Sequence, residues 1–138
     1  MYESILTPVL ALIVWTLVMW LWMYATRIPA MQKAGINAAK MTSKSEMDVL
    51  PVEVRRIADN YNHLHEQPTV FYALAVYCHL VGLTDPLMIG LAWGYVALRV
   101  LHSLIQALWN FIPVRFLVFA SSSIVLVVMS VIAVLALF

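Results

Sequence analysis

The sequence predicts an all-α integral membrane protein, a four-helix bundle formed as one domain over residues 1–138. Three observations carry that prediction. The chain is 64% apolar and only 11% charged, with a mean hydropathy of +0.91, whereas soluble domains carry about 25% charged residues. Its apolar residues fall into four blocks, and a helix needs about 20 residues to cross the hydrocarbon layer. The blocks lack the alternation and the roughly ten-residue length of membrane β-strands.

The first span covers residues 5–25. Glu3 precedes it and no Lys or Arg does, so it reads as a retained helix and not as a cleaved signal. Residues 27–51 follow as a loop, and "MQKAGINAAKMTSKSEMD" is the one soluble-looking stretch, with room for a short amphipathic piece. The second span covers 54–83. It begins near Pro51 or Val52, where proline suits a first turn and Glu53 complements the helix dipole. The apolar block after Pro68 is short alone, and "DNYNHLHE" ahead of it extends the helix. The third span, 86–110, follows "GLTD", where Thr84 or Asp85 caps and Pro86 opens the helix. The fourth span is 114–138, after Pro113.

With four spans, the first and third connections share one side of the membrane. That side holds Arg27, Lys33, Lys40, Lys44, Arg55, Arg56 and Arg115, seven of the eight basic residues. The positive-inside rule places the long first loop in the cytoplasm and both termini outside. The five tryptophans serve as interfacial anchors or as lipid-facing bulk. Cys78 is the single cysteine, which excludes an internal disulfide and a Cys-based zinc site; within an apolar block it reads as a buried, inert thiol.

Polar residues inside the spans mark a candidate site. On the second helix Arg55, Asp59, Asn62 and Glu66 step by four, three and four, which makes one stripe. Asn60 and His63 flank it, and His65 points elsewhere. On the third helix Arg99, His102 and Gln106 step by three and four. Ionisable groups inside a span are costly and face a bundle interior or a wet cavity. At about 1.5 Å per residue, Glu66 and Arg99 reach similar depth from the cytoplasmic side. The expectation is a Glu66–Arg99 pair within a pocket of Arg55, Asn62, Glu66, Arg99, His102, Gln106 and Arg115. Its positive balance suits a small anionic ligand. Alternatively, the pair only fixes helix register, and Arg55, Arg56 and Arg115 are ordinary membrane-edge cations.

Other features carry less. "HLHE" sets His63 and His65 on different helix faces and no H-E-x-x-H spacing occurs, so no metal site is expected. Gly90 and Gly94 have the spacing that lets membrane helices approach closely. Ser121, Ser122 and Ser123 are expected to bond to their own helix backbone. No nucleic-acid partner is expected.

The pattern resembles the MAPEG family, the membrane-associated proteins in eicosanoid and glutathione metabolism. The resemblance rests on Arg55, Asn62, Glu66, Pro68 and Phe71 in the second helix, Arg99 with His102 in the third, and Arg115 at the start of the fourth. It implies a homotrimer whose sites lie between subunits near the cytoplasmic side, in contact with membrane lipid. It also implies glutathione as co-substrate, transferred to a small lipophilic electrophile or used to reduce a hydroperoxide. Arg55, Asn62 and Glu66 would hold the peptide part, and Arg99 and His102 would line the same pocket with Gln106. Arg115 would be catalytic, stabilising a thiolate whose parent thiol is mostly protonated at neutral pH.

The chain departs from the family pattern at four places. His65 stands where the Glu usually falls and Glu66 comes one residue later, a rotation of about 100° on a helix. Ala58 replaces a second Arg, Gln106 a Tyr, and Phe116 and Phe119 follow Arg115 where hydroxyl residues are found. The chain looks like a divergent, bacterial, inner-membrane branch. A second reading stays open, a non-catalytic membrane scaffold or accessory subunit; a third is a lipid or quinone-like ligand bound without glutathione.

Overall fold

The computed structural model describes residues 4–35, 51–109 and 111–138. Five helical stretches make up four antiparallel legs: α1 (Leu6–Ala34), α2 (Val52–His63), α3 (Gln67–Val81), α4 (Pro86–Leu104) and α5 (Ile112–Leu135). No strand occurs among the described residues. Leg three continues from α4 into a π-helical turn over Ile105–Trp109. Three legs are long and apolar enough to cross a membrane: Leu6–Ala34, Pro86–Trp109 and Ile112–Leu135. The protein is an integral membrane protein.

α1 runs nine residues beyond the expected span end at 25. Its extension, "TRIPAMQKA", is rich in helix formers and leaves the apolar block for a basic one. Gly35 stops it in a left-handed conformation at φ +72°, with its N–H returned to the Gln32 carbonyl. The soluble-looking stretch, including Lys40 and Lys44, lies otherwise outside the described residues.

The second leg differs most from expectation. It is not one helix over 54–83 but two, separated at Leu64–Glu66. Pro68 is the cause: it has no N–H to give to the carbonyl four residues back, and its ring would crowd that carbonyl in a continuous helix. The chain therefore turns one step earlier, and Pro68 falls into the first turn of α3, where proline is welcome. Asp85–Pro86 opens α4 in the same way, and Gly82 closes α3 at φ +82°.

The core is a narrow seam. α1 contributes Pro8, Leu12 and Met19, α3 Phe71, Ala75 and Cys78, α4 Met88, Ala92 and Tyr95, and α5 Leu126, Met129 and Ala133. These positions recur at helical spacing while the outward faces stay equally apolar, as Leu80, Ile124 and Val127 show. Lipid is as apolar as the seam, so packing and polar contacts hold the legs together. Across the seam Tyr95 donates to Gln67 Oε1 at 3.1 Å, Gln67 Nε2 donates to Ser123 Oγ at 2.7 Å, and Ser123 Oγ donates to the Phe119 carbonyl at 3.0 Å. One chain of hydrogen bonds thus links α4, α3 and α5. Phe71 stacks on Tyr95 beside it, ring centroids 4.5 Å apart.

Candidate functional site

The break between α2 and α3 frees backbone carbonyls inside the bundle. Arg99, 1% exposed, comes up beneath them from α4, and its Nη2 donates to the His63 carbonyl at 3.4 Å. A cation at a helix C-terminus also complements the dipole there. The Phe119 ring lies 6.0 Å from the same guanidinium. Arg99 Nε and Nη1 are buried without a hydrogen-bond partner, as are Asn60 Nδ2 and Oδ1, His102 Nδ1, Ser103 Oγ and Gln106 Oε1. Buried polar atoms without partners are few in proteins and costly. Here they gather where α2 meets α4 and the π turn.

The expected Glu66–Arg99 ion pair is not formed. The break rotates Glu66 onto its own chain, so that its Oε2 lies 3.5 Å from His63 Nδ1, with the two side chains 68% and 46% exposed. Glu66 and His63 line a cavity of about 260 Å³ together with His102, Ile112, Arg115, Phe116 and Phe119. Three elements therefore converge: the α2–α3 junction, the end of α4 and the first two turns of α5. The His63 and His102 ring centroids are 6.3 Å apart, and those of His102 and Phe119 are 6.1 Å apart. The lining combines imidazole, carboxylate and guanidinium groups with aromatic and aliphatic side chains.

Of the seven candidate residues, the cavity brings together Glu66, His102 and Arg115. Arg99 and Gln106 lie buried within the bundle. Arg55 is half-buried and Asn62 exposed on α2, and neither lines the cavity. Four further polar residues stand out that the stripes did not single out as a site. His63 is at the cavity, Asn60 is fully buried next to Arg99's helix, and Gln67 and Tyr95 join the legs. The signal for His63 was Pro68 five residues later, which ends the helix and makes His63 its last residue. His65 indeed points elsewhere, its Nδ1 3.0 Å from the Tyr61 carbonyl. The three serines bond to backbone as expected, and Cys78 is buried as a free thiol. Gly90 and Gly94 meet no close neighbour within the protomer.

Two comparisons with known proteins, one against curated proteins and one against solved structures, find no match. A third does: the model of the MAPEG family matches residues 5–135, nearly the whole chain. Together with the membrane-length apolar helices, that match shows that the chain belongs to the MAPEG family of membrane proteins, whose general chemistry is glutathione transfer and peroxide reduction.

Proposed function

We propose that this protein binds glutathione at the cavity between the α2–α3 junction and α5, and uses its sulfur on a small lipophilic electrophile or hydroperoxide. The observation that carries this reading is the mixed polar and apolar lining of the cavity. Arg115, His102, His63 and Glu66 offer charge and hydrogen bonds to a polar thiol peptide, while Ile112, Phe116 and Phe119 offer an apolar approach. Arg115 favours the thiolate by proximity of positive charge. Arg99 and Gln106 supply buried donors and acceptors still without partners, and Arg55 and Asn62 reach the peptide from α2.

The cavity's 260 Å³ is below the roughly 300–1,000 Å³ typical of sites that enclose a ligand. A single protomer therefore takes only part of glutathione, and a neighbouring copy in a homotrimer completes the site. The long first loop and the basic ends of the legs lie on the cytoplasmic side of a bacterial inner membrane, where glutathione has access.

Calorimetric titration of the detergent-solubilised protein with glutathione tests the reading. The expected result is saturable binding at millimolar levels or below, with ultraviolet absorbance of a bound thiolate. Arg115→Ala is expected to abolish the thiolate signal while the oligomer persists on size-exclusion chromatography. A wild-type protein that shows neither binding nor thiolate is a scaffold or accessory subunit instead.

A further inference from the structure

The proposed site holds a feature that thiolate stabilisation by Arg115 does not use. His63 stands at the last turn of α2, and the chain break brings Glu66 Oε2 to 3.5 Å from its Nδ1. A carboxylate at Nδ1 holds the proton on that nitrogen and leaves Nε2 as the basic one. Both side chains line the same cavity as Arg115. The backbone beneath them is pinned, since Arg99 donates to the His63 carbonyl.

We infer that His63 and Glu66 act as a general-base dyad for this site, taking the proton from a bound thiol whose sulfur then rests against Arg115. The inference rests on the proposed glutathione chemistry. In the step, the S–H bond breaks, its electron pair stays on sulfur, and the proton bonds to His63 Nε2. Glu66 steadies the resulting imidazolium. The thiolate next forms a bond to the electrophile's carbon, the leaving group departs with its electron pair, and the imidazolium returns its proton to water. Charged and titratable groups facing His63 are Glu66 from the junction, Arg99 and His102 from α4 and Arg115 from α5; Asp59 lies one turn earlier on its own helix.

The offset of Glu66 by one position gains a meaning in this setting. With His65 turned to the Tyr61 carbonyl, the shifted carboxylate lies beside the imidazole of His63.

The test uses full-length protein in detergent, with glutathione as the thiol and chlorodinitrobenzene as the electrophile. His63→Gln, Glu66→Gln and the control His65→Gln are compared with wild type. Calorimetry at mildly alkaline pH, repeated in buffers of different ionisation enthalpy, counts protons passed to solvent on binding. Wild type is expected to release almost none, because His63 keeps the proton. His63→Gln is expected to bind glutathione comparably but release about one proton per thiolate formed, and its rate at neutral pH is expected to fall by at least about tenfold, recovering as pH rises. Glu66→Gln is expected to show a smaller fall in rate with His63 still present, and His65→Gln no change. Superimposable pH–rate profiles and equal proton release in wild type and His63→Gln overturn the dyad while leaving glutathione binding intact. Wild type that binds no glutathione overturns both the dyad and the function on which it rests.

Discussion

Arg99 shows how one side chain fixes a local structure that the surrounding helices do not. It is among the largest fully buried side chains, and it donates a hydrogen bond to the backbone of the broken leg at His63. Removing it leaves that carbonyl without the donor and opens a hole in the seam. Arg99→Ala is expected to lower stability by about 1–3 kcal/mol, read as a lower midpoint of thermal unfolding in detergent. Arg99→Lys restores charge without the planar fork and is expected to recover only part of the loss. That Arg99 is buried and inward was legible from its place in an apolar block, because a lipid-facing guanidinium is too costly there. Its partner was not legible. Matching Glu66 to Arg99 by depth assumed an unbroken helix, and the turn at Leu64–Glu66 voids the rise per residue on which that match depended.

At the scale of elements, the short α3 leg has its polar hold on the bundle at Gln67, which receives from Tyr95 and donates to Ser123. Gln67→Leu leaves the Tyr95 hydroxyl without its acceptor and is expected to cost about 0.5–2 kcal/mol. A double-mutant cycle with Ser123→Ala, read by denaturant titration in detergent, is expected to show coupling; additive effects would mean that the Gln67–Ser123 bond carries no energy. The four legs themselves were legible in the sequence as apolar blocks separated by Gly, Pro and basic residues. The start of α4 at Asp85–Pro86 was legible too, although the Asp85 side chain makes no capping hydrogen bond. The interruption of the second leg was written in the sequence as Pro68, but "DNYNHLHE" continues the helical stripe up to it, so periodicity and proline pointed in opposite directions. Proline prevailed because the missing N–H and the ring clash act on the backbone itself, whereas a polar stripe only biases which face turns inward.

At the scale of the molecule, the outward faces of α1, α3, α4 and α5 remain largely apolar, and Gly90 and Gly94 stand open on α4. In the proposed trimer that smooth face lets a neighbouring helix approach closely. Gly94→Leu is expected to weaken the oligomer in sedimentation without altering the helical content of the protomer; an unchanged oligomer would remove this face from the contact. Part of the candidate cavity was legible: Glu66 and His102, one from each polar stripe, and Arg115, from the entry to the fourth span, line it together. Arg55 and Asn62 sit apart on α2 because that helix ends at His63, and the break interrupts the stripe that joined them to Glu66. Finally, α3 has only 15 residues, which at about 1.5 Å each spans roughly 22 Å against a hydrocarbon thickness of about 30 Å. The bilayer must pinch inward or water must follow the chain down to the kink. Host lipid length therefore acts as a dial on this protein: shorter acyl tails relieve the mismatch, and longer ones set the polar junction at Leu64–Glu66 deeper below the membrane surface.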